Sequence, residues 1–240
     1  MNTVPRSRYT SPTHAAARFA AQRGLLKPLV WRLTRVTVLG REHLDNLATG
    51  PFVVAGNHAS HLDAPLIMGA LPWRHGRYLA AAAAADYFFD VWWRKGLTAL
   101  FFNAFPVDRR GTRVYGGLST TLLDAGVPLL VFPEGTRSAT GEMATFKSGT
   151  AALCISHQVP CVPVAVVGAN VAMPRGRSWV IPGRPAVAVV FGEPMAPAPD
   201  DKAREFTERL EKEVRTLYDQ GATYLATHGA GRPGHEEGRP

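Results

Sequence analysis

Residues 52–63 read FVVAGNHASHLD, a short apolar run that ends at a glycine and is followed by a polar turn. An apolar run of this length, bounded by Gly56, predicts a buried strand that leads into a loop. Residues 64–71 are apolar again, and we predict a helix there. This places His58 on the loop and Asp63 in the first helical turn. Loops at strand ends carry the chemistry of many α/β folds, so the fold and the site are both predicted from this stretch.

His58 and Asp63 are the candidate catalytic pair. An imidazole exchanges a proton near neutral pH, and a carboxylate on its second nitrogen fixes the tautomer and stabilises the charged ring. On one continuous helix a five-residue spacing would separate the two side chains by about 140°, so their contact requires the break at Gly56. A structural explanation is also open, because Ser60 and Asp63 have the spacing of a helix capping box.

Size and composition predict one α/β domain that binds an anionic partner. The chain has 240 residues, 46% of them hydrophobic, and a net charge of +8. A basic balance favours a membrane surface, nucleic acid or phosphorylated substrates. Cys154 and Cys161 have neither zinc-site spacing nor a disulfide framework, and we expect no metal. No apolar run reaches the roughly 18 residues of a spanning helix, and we expect no signal peptide.

The order of elements predicts a mixed, mostly parallel central sheet flanked by helices. Residues 1–35 are interpreted as a basic amphipathic N-terminal arm, kinked near Gly24 and Pro28, which either lies in an anionic interface or packs on the domain. Residues 36–220 form the domain and residues 221–240 a disordered tail. Besides the strand that begins at residue 52, we expect an edge strand at 36–39 and further strands at 77–85, 127–132, 159–167 and 187–191. A helix from Asp200 should cover the sheet.

Charged side chains follow an apolar segment at 105–107 and the strand predicted at 127–132. Arg109 and Arg110 come after the apolar residues 105–107, and Arg forks suit phosphate, although exposed Arg pairs are commonly only solvated. Glu134, Gly135, Thr136 and Arg137 follow the strand at 127–132, where a carboxylate, a flexible glycine and a cation provide what a polar site needs. Lys147 opens the next helix, whose free amides favour anions. The segment is not a P-loop, because Phe146 stands where that motif needs glycine.

Taken together, four blocks resemble the glycerolipid acyltransferase family, of the 1-acylglycerol-3-phosphate O-acyltransferase type. His58 to Asp63 resembles the block NHxSxxD, and Phe105 to Arg109 resembles a second block that ends in Arg. Phe132 to Ser138 matches FPEGTRS, and Val159 to Val164 resembles the fourth block, around Pro163. The resemblance covers about residues 36–195.

The resemblance implies an enzyme that transfers a fatty acyl group from acyl-CoA or acyl-carrier protein to the free hydroxyl of 1-acylglycerol 3-phosphate, giving phosphatidic acid. His58 would be the general base and Asp63 its orienting partner. Arg109 and Arg110 would hold the acceptor phosphate, and Glu134, Gly135, Thr136, Arg137 and Lys147 would complete the acceptor site. The acyl donor is a co-substrate and no cofactor is expected. Because we expect neither a spanning helix nor a signal peptide, we also expect a peripheral position on the cytoplasmic face of an anionic membrane.

Four other functions are weighed against this one. The same base is compatible with another lysolipid or a glycolipid as acceptor. A catalytically vestigial membrane-binding module is disfavoured by the intact His58, Asp63, Glu134 and Arg137. Nucleic-acid binding explains the charge but not the motifs. A hydrolase that uses Ser60 is disfavoured because Ser60 is not in a G-x-S-x-G elbow.

Overall fold

The computed structural model describes residues 8–45, 47, 50–84, 92–107 and 117–228, within which seven strands form one sheet. The strands are β1 (Arg35–Leu39), β2 (Val53–Gly56), β3 (Ala80–Ala84), β4 (Phe105–Val107), β5 (Leu129–Val131), β6 (Cys161–Val167) and β7 (Ala186–Phe191). Their spatial order is β1-β7-β6-β2-β5-β3-β4. Only the β6–β7 pair is antiparallel among these strands, so the predicted mixed, mostly parallel sheet is confirmed.

Helices cover both faces of the sheet. They are α1 (Pro12–Ala21), α2 (Lys27–Leu33), α3 (Asp63–Ala70), α4 (Trp73–Gly76), α5 (Trp92–Phe102), α6 (Leu118–Asp124), α7 (Gly149–His157), α8 (Ala169–Ala172) and α9 (Ala203–His228). A π-helical turn (Gln22–Leu26) joins α1 to α2, and a 3₁₀ turn (Arg41–Leu44) follows β1. The single α/β domain follows from this arrangement, because one sheet supports all the packing layers.

The alternation of side chains along β6 divides the core into two layers. Val162, Val164 and Val166 pack with α2 and α3 on one face. Cys161 and Val167 pack with α6, α7 and α9 on the other. Successive residues of a strand point to opposite faces, so a strand buried on both sides is continuously apolar, as β6 is. This double burial fixes the ends of the strands, and hence the loops that follow them.

The N-terminal arm packs on the domain through its inner side. Arg18 is buried, and the Arg23 guanidinium donates to the carbonyls of Gly69 (3.2 Å) and Leu71 (2.6 Å), at the C-terminal end of α3. The Trp31 ring lies against Gly69 so closely that a Cβ there would meet it at 2.6 Å. Cations are favoured at helix C-termini, where carbonyl groups lack helical partners. Bases expected on a solvated face are therefore used partly to hold α3.

Two features differ from the sequence prediction. At Gly24, where a kink was expected, the helix widens into the π-helical turn instead of breaking. The prediction that a disordered tail begins at Gly221 is wrong for residues 221–228, because α9 continues to His228. Gly221 is buried, and a Cβ at this position would lie 2.8 Å from Val167 and 2.9 Å from Val190. The missing side chain lets α9 approach the sheet, so a residue that suggested a helix end is a packing contact.

Candidate active site

The site lies where β2 and β5 end. These strands are parallel neighbours, with Val53 opposite Leu129, so their carboxyl ends open at the same edge of the sheet. Asn57 follows β2, and its side chain exchanges two hydrogen bonds with the main chain of Val166 on β6, at 3.0 and 2.8 Å. This buried link fixes the start of the loop that carries His58.

One oxygen of Asp63 holds that loop and the imidazole together. Asp63 Oδ2 accepts hydrogen bonds from His58 Nδ1 and from the amides of Ala59 and Ser60, each at 2.8 Å. The carboxylate is fully buried. Both interpretations of Asp63 therefore apply, since it orients the histidine and also binds amides that precede α3. Ser60 Oγ does not cap Asp63; it donates to the carbonyl of Met173 at 2.9 Å.

The geometry leaves the far side of the His58 ring open for chemistry. Since Nδ1 donates to a carboxylate, the lone pair of the neutral ring lies on Nε2. Nε2 has no hydrogen-bond partner in the described part of the chain, and the side chain is 21% exposed. The Phe132 ring stacks on the imidazole with centroids 4.0 Å apart and planes 12° from parallel. The ring is thus held at one edge and one face, while its basic nitrogen is accessible.

Glu134 joins the two loops of the site. Its Oε1 accepts from the amide of His58 at 2.6 Å and its Oε2 from the amide of Ala144 at 2.9 Å. Burial raises the pKa of this carboxyl above its usual range, against the lowering effect of the two amides. Both oxygens are engaged by main-chain donors, so the visible role of Glu134 is to position the His58 loop. Its contact with an acceptor remains a prediction.

His61 lies in a positively charged part of the same site. Burial, followed by the charges of Arg137 and His58, lowers its pKa to about 4, although Asp63 acts in the opposite direction. His61 is therefore neutral near pH 7. Because the charge of Arg137 acts on His61, Arg137 lies near the His58–Asp63 pair, and its part in substrate binding remains a prediction.

Gly135 brings Lys147 to the same loop. Gly135 adopts a left-handed conformation with φ of +77°, and a Cβ on it would lie 2.7 Å from Lys147 Nζ. The amide of Lys147 donates to the carbonyl of Pro133 at 3.0 Å. Thr136 is exposed beside them. The residues predicted after β5 and at the start of α7 are thus neighbours in space, although their part in substrate binding is not tested by this proximity.

Sequence reasoning did not reach every residue of the site. Arg109 and Arg110, the predicted phosphate ligands, lie outside the described residues. Asn57 and Phe132 were not singled out, although each stands directly at a strand end beside a predicted site residue. Their contacts join separate strands, so the sequence signal for them was position alone.

Comparison with known proteins relates this geometry to one family. A family model described as Acyltransferase matches residues 35–167. Human 1-acyl-sn-glycerol-3-phosphate acyltransferase alpha is 30% identical over 210 residues, covering 82% of this chain and 71% of the human protein. The mouse protein of that name is 33% identical over 165 residues, covering 65% of this chain and 54% of the mouse protein. The match to the bovine protein of that name covers 64% of the bovine protein.

A solved structure shares the fold. The crystal structure of the 1-acyl-sn-glycerophosphate (LPA) acyltransferase PlsC from Thermotoga maritima superimposes with a TM-score of 0.69 at 25% identity, covering 88% of this chain and 84% of that one. The segment that the family model matches, residues 35–167, includes β1 to β6 and the site residues from Asn57 to Lys147 that the structure describes. Because the family model matches more than half of its length, the chain belongs to the acyltransferase family.

Proposed function

We propose that this chain transfers a fatty acyl group from a thioester donor, acyl-CoA or acyl-carrier protein, to the free hydroxyl of 1-acylglycerol 3-phosphate, giving phosphatidic acid. The names of the relatives and of the Thermotoga maritima structure support this acceptor. The observation that carries the proposal is the His58–Asp63 pair, with Nδ1 at 2.8 Å from a buried carboxylate and Nε2 open.

The chemistry follows from that pair. Nε2 of His58 takes the proton as the acceptor hydroxyl attacks the thioester carbonyl, and Asp63 stabilises the imidazolium that forms. The new ester bond forms as the carbon–sulfur bond breaks, and the proton on Nε2 is then available to the departing thiolate. A thiolate is a good leaving group, so no covalent enzyme intermediate is required. Ser60 Oγ is bonded to a carbonyl, which fits a structural role.

Cations around the pair are proposed to bind the acceptor phosphate. Arg137 and Lys147 lie on the two segments that meet at Gly135. Arg109 and Arg110 are proposed to join them, on the family resemblance alone. Guanidinium groups bind phosphate through paired N–H donors and remain charged at all relevant pH values.

The arm is proposed to hold the protein at the cytoplasmic face of an anionic membrane. Its outer side exposes large apolar side chains, Phe19, Leu25 and Leu29, and the adjacent α5 exposes Leu97 and Leu100. Apolar side chains on a basic helix are typical of interfacial segments. None of the described helices combines the length and apolarity needed to cross a bilayer.

The proposal is tested by supplying radiolabelled palmitoyl-CoA, or the palmitoyl carrier protein, to a panel of acceptors. We expect the label in phosphatidic acid with 1-acylglycerol 3-phosphate, and little transfer to the matched monoacylglycerol, which lacks the phosphate. Preferential transfer to another lysolipid or a glycolipid would keep the base and replace the acceptor. Failure with both donors on every acceptor would contradict the enzyme assignment and favour the vestigial membrane module.

A further inference from the structure

The connection between β6 and β7 exposes an unusual combination of side chains. Within it, residues 173–185, here called the rim loop, follow the short helix α8. Trp179 is 59% exposed, and Val171 on α8 is 60% exposed. Arg175 and Arg177 of the rim loop are exposed as well. An indole and two guanidinium groups thus share one short stretch of surface.

The charge of this surface is not neutralised. The sequence contains no Asp or Glu between Glu142 and Glu193. Arg175 and Arg177 have no carboxylate partner among the residues that the structure describes, and Arg175 Nη1 donates only to the carbonyl of Arg137, at 3.5 Å. Ion pairs do form elsewhere on the surface, as between Arg209 and Asp201. The rim loop is therefore a local source of positive charge.

The rim loop is attached to the active site. Met173, its first residue, accepts the hydrogen bond from Ser60, and Arg175 reaches the carbonyl of Arg137. The next amide along, that of Ser138, donates to the carbonyl of His58 at 2.8 Å. Because the Arg137 carbonyl and the Ser138 amide belong to one peptide unit, the Arg175 guanidinium lies within about 9 Å of the His58 main chain.

The other end of the rim loop is attached to the arm. Arg184 Nη2 donates to the carbonyl of Trp31 at 3.4 Å, and Arg35 Nε donates to the carbonyl of Arg184 at 3.2 Å. The arm carries the exposed Leu29 two residues before Trp31. The rim loop is therefore hydrogen-bonded to the arm at one end and to the segments of the active site at the other.

We propose that the rim loop contacts an anionic lipid surface, with Trp179 placed among the headgroups and Arg175 and Arg177 on lipid phosphates, so that the active site opens directly onto the membrane. The indole is amphipathic and favours the level of the headgroups. Each base near an anionic surface strengthens binding by several-fold. This inference rests on the proposed function, which requires an acceptor that resides in a membrane.

Tryptophan fluorescence tests the position of Trp179. Vesicles of phosphatidylglycerol and phosphatidylcholine, with or without brominated acyl chains, are added to the full chain. We expect a blue shift and quenching by the brominated lipid, and a loss of that quenched component in Trp179→Phe, which removes one of the five tryptophans of the chain. Equal quenching in Trp179→Phe and the unsubstituted chain would overturn the placement of Trp179 in lipid.

A charge-matched pair of variants tests the arginines. The double variant Arg175→Gln with Arg177→Gln removes two charges from the rim loop. The control, Lys202→Gln with Lys212→Gln, removes two charges from exposed positions, one just before α9 and one within it. We expect vesicle co-sedimentation to fall by about tenfold or more for the first double variant. The second should change it by less than about threefold. Equal losses would show that only net charge matters and would overturn the local contact.

Activity measurements separate this proposal from the proposed function and from a donor site. Trp179→Ala should keep its transfer rate to a monomeric short-chain acceptor and lose about tenfold with the acceptor in vesicles. A raised KM for the acyl donor in the absence of vesicles would assign the rim loop to the donor and overturn the lipid contact. Vesicle binding that depends on the rim loop, without transfer to any acceptor, would refute the proposed function alone.

Discussion

The replacement Asp63→Asn separates the charge of this carboxylate from its hydrogen bonds. Oδ2 accepts all three hydrogen bonds, while Oδ1 is buried without a hydrogen-bond partner among the described residues. An asparagine with its oxygen at the Oδ2 position keeps the contacts to His58 Nδ1 and to the amides of Ala59 and Ser60. The amide nitrogen then occupies the Oδ1 position, and it fits there because the asparagine and aspartate side chains have the same shape. The change therefore removes the negative charge and preserves the geometry.

The magnitude follows from the distance between the two groups. When His58 is protonated during the reaction, unit charges 2.8 Å apart attract by about 6 kcal/mol at an effective dielectric constant of about 20. This energy corresponds to about 10⁴-fold in rate, and the dipole of the asparagine amide retains part of it. We therefore expect kcat to fall by about 10²- to 10⁴-fold. The buried, unpaired amide nitrogen should also cost about 1–3 kcal/mol of folding free energy.

Single-turnover transfer from palmitoyl-CoA to 1-acylglycerol 3-phosphate measures the effect without interference from product release. Urea unfolding of the same samples verifies that the variant is folded. Asp63→Ala serves as the comparison, because it removes the charge and all three hydrogen bonds and should destabilise the chain more. A folded Asp63→Asn variant with kcat within threefold of the unsubstituted chain would refute electrostatic stabilisation of His58 by Asp63.

Four further predictions follow from the contacts around the site. Glu134→Gln leaves one of two amides without an acceptor, so kcat should fall by about tenfold with little change in acceptor KM; a change in KM alone would contradict its positioning role. The folded pKa of His61 is about 4 and its unfolded value 6.5, so the unfolded state binds more protons between them. The free energy of unfolding should therefore decrease as pH falls from 6.5 towards 4, and urea titrations should show a smaller decrease for His61→Asn; an unchanged slope would exclude His61 as its source. Arg23→Ala uncaps α3 and should cost about 2 kcal/mol in the same titration, against about 0.5 kcal/mol or less for the exposed Arg32→Ala; equal effects would count against the cap. Gly135→Ala imposes a left-handed conformation on alanine and displaces Lys147, so it should cost about 1–2 kcal/mol and raise the acceptor KM; an unaltered KM would argue against Lys147 as a phosphate ligand.

The contact between His58 and Asp63 was predictable because it is local in sequence. His58 and Asp63 lie on either side of one turn, and the break at Gly56 is visible in the residue types. The neighbouring position of the loop after β5 was also accessible, since the ends of parallel strands meet at one edge of a sheet. The strand at 77–85 was expected from the order of elements, and Ala80–Ala84 confirms it.

What the sequence did not reveal depends on contacts between distant segments. The stacking of Phe132 on His58 and the two amides on Glu134 exist only because β2 and β5 are paired. Arg23 lies in the π-helical turn, which no residue pattern predicted. Similarly, the tail was predicted from Gly221 because the sequence becomes polar and Gly-rich there, whereas close packing on β6 and β7 keeps Gly221 inside α9.

The central claim is that His58 is the base for acyl transfer to 1-acylglycerol 3-phosphate. The most direct test measures formation of labelled phosphatidic acid by the unsubstituted chain and by His58→Ala, with folding verified by urea unfolding. We expect transfer by the unsubstituted chain and a loss of at least about 10²-fold in the folded variant. A folded His58→Ala variant that forms phosphatidic acid at the unsubstituted rate would contradict the claim.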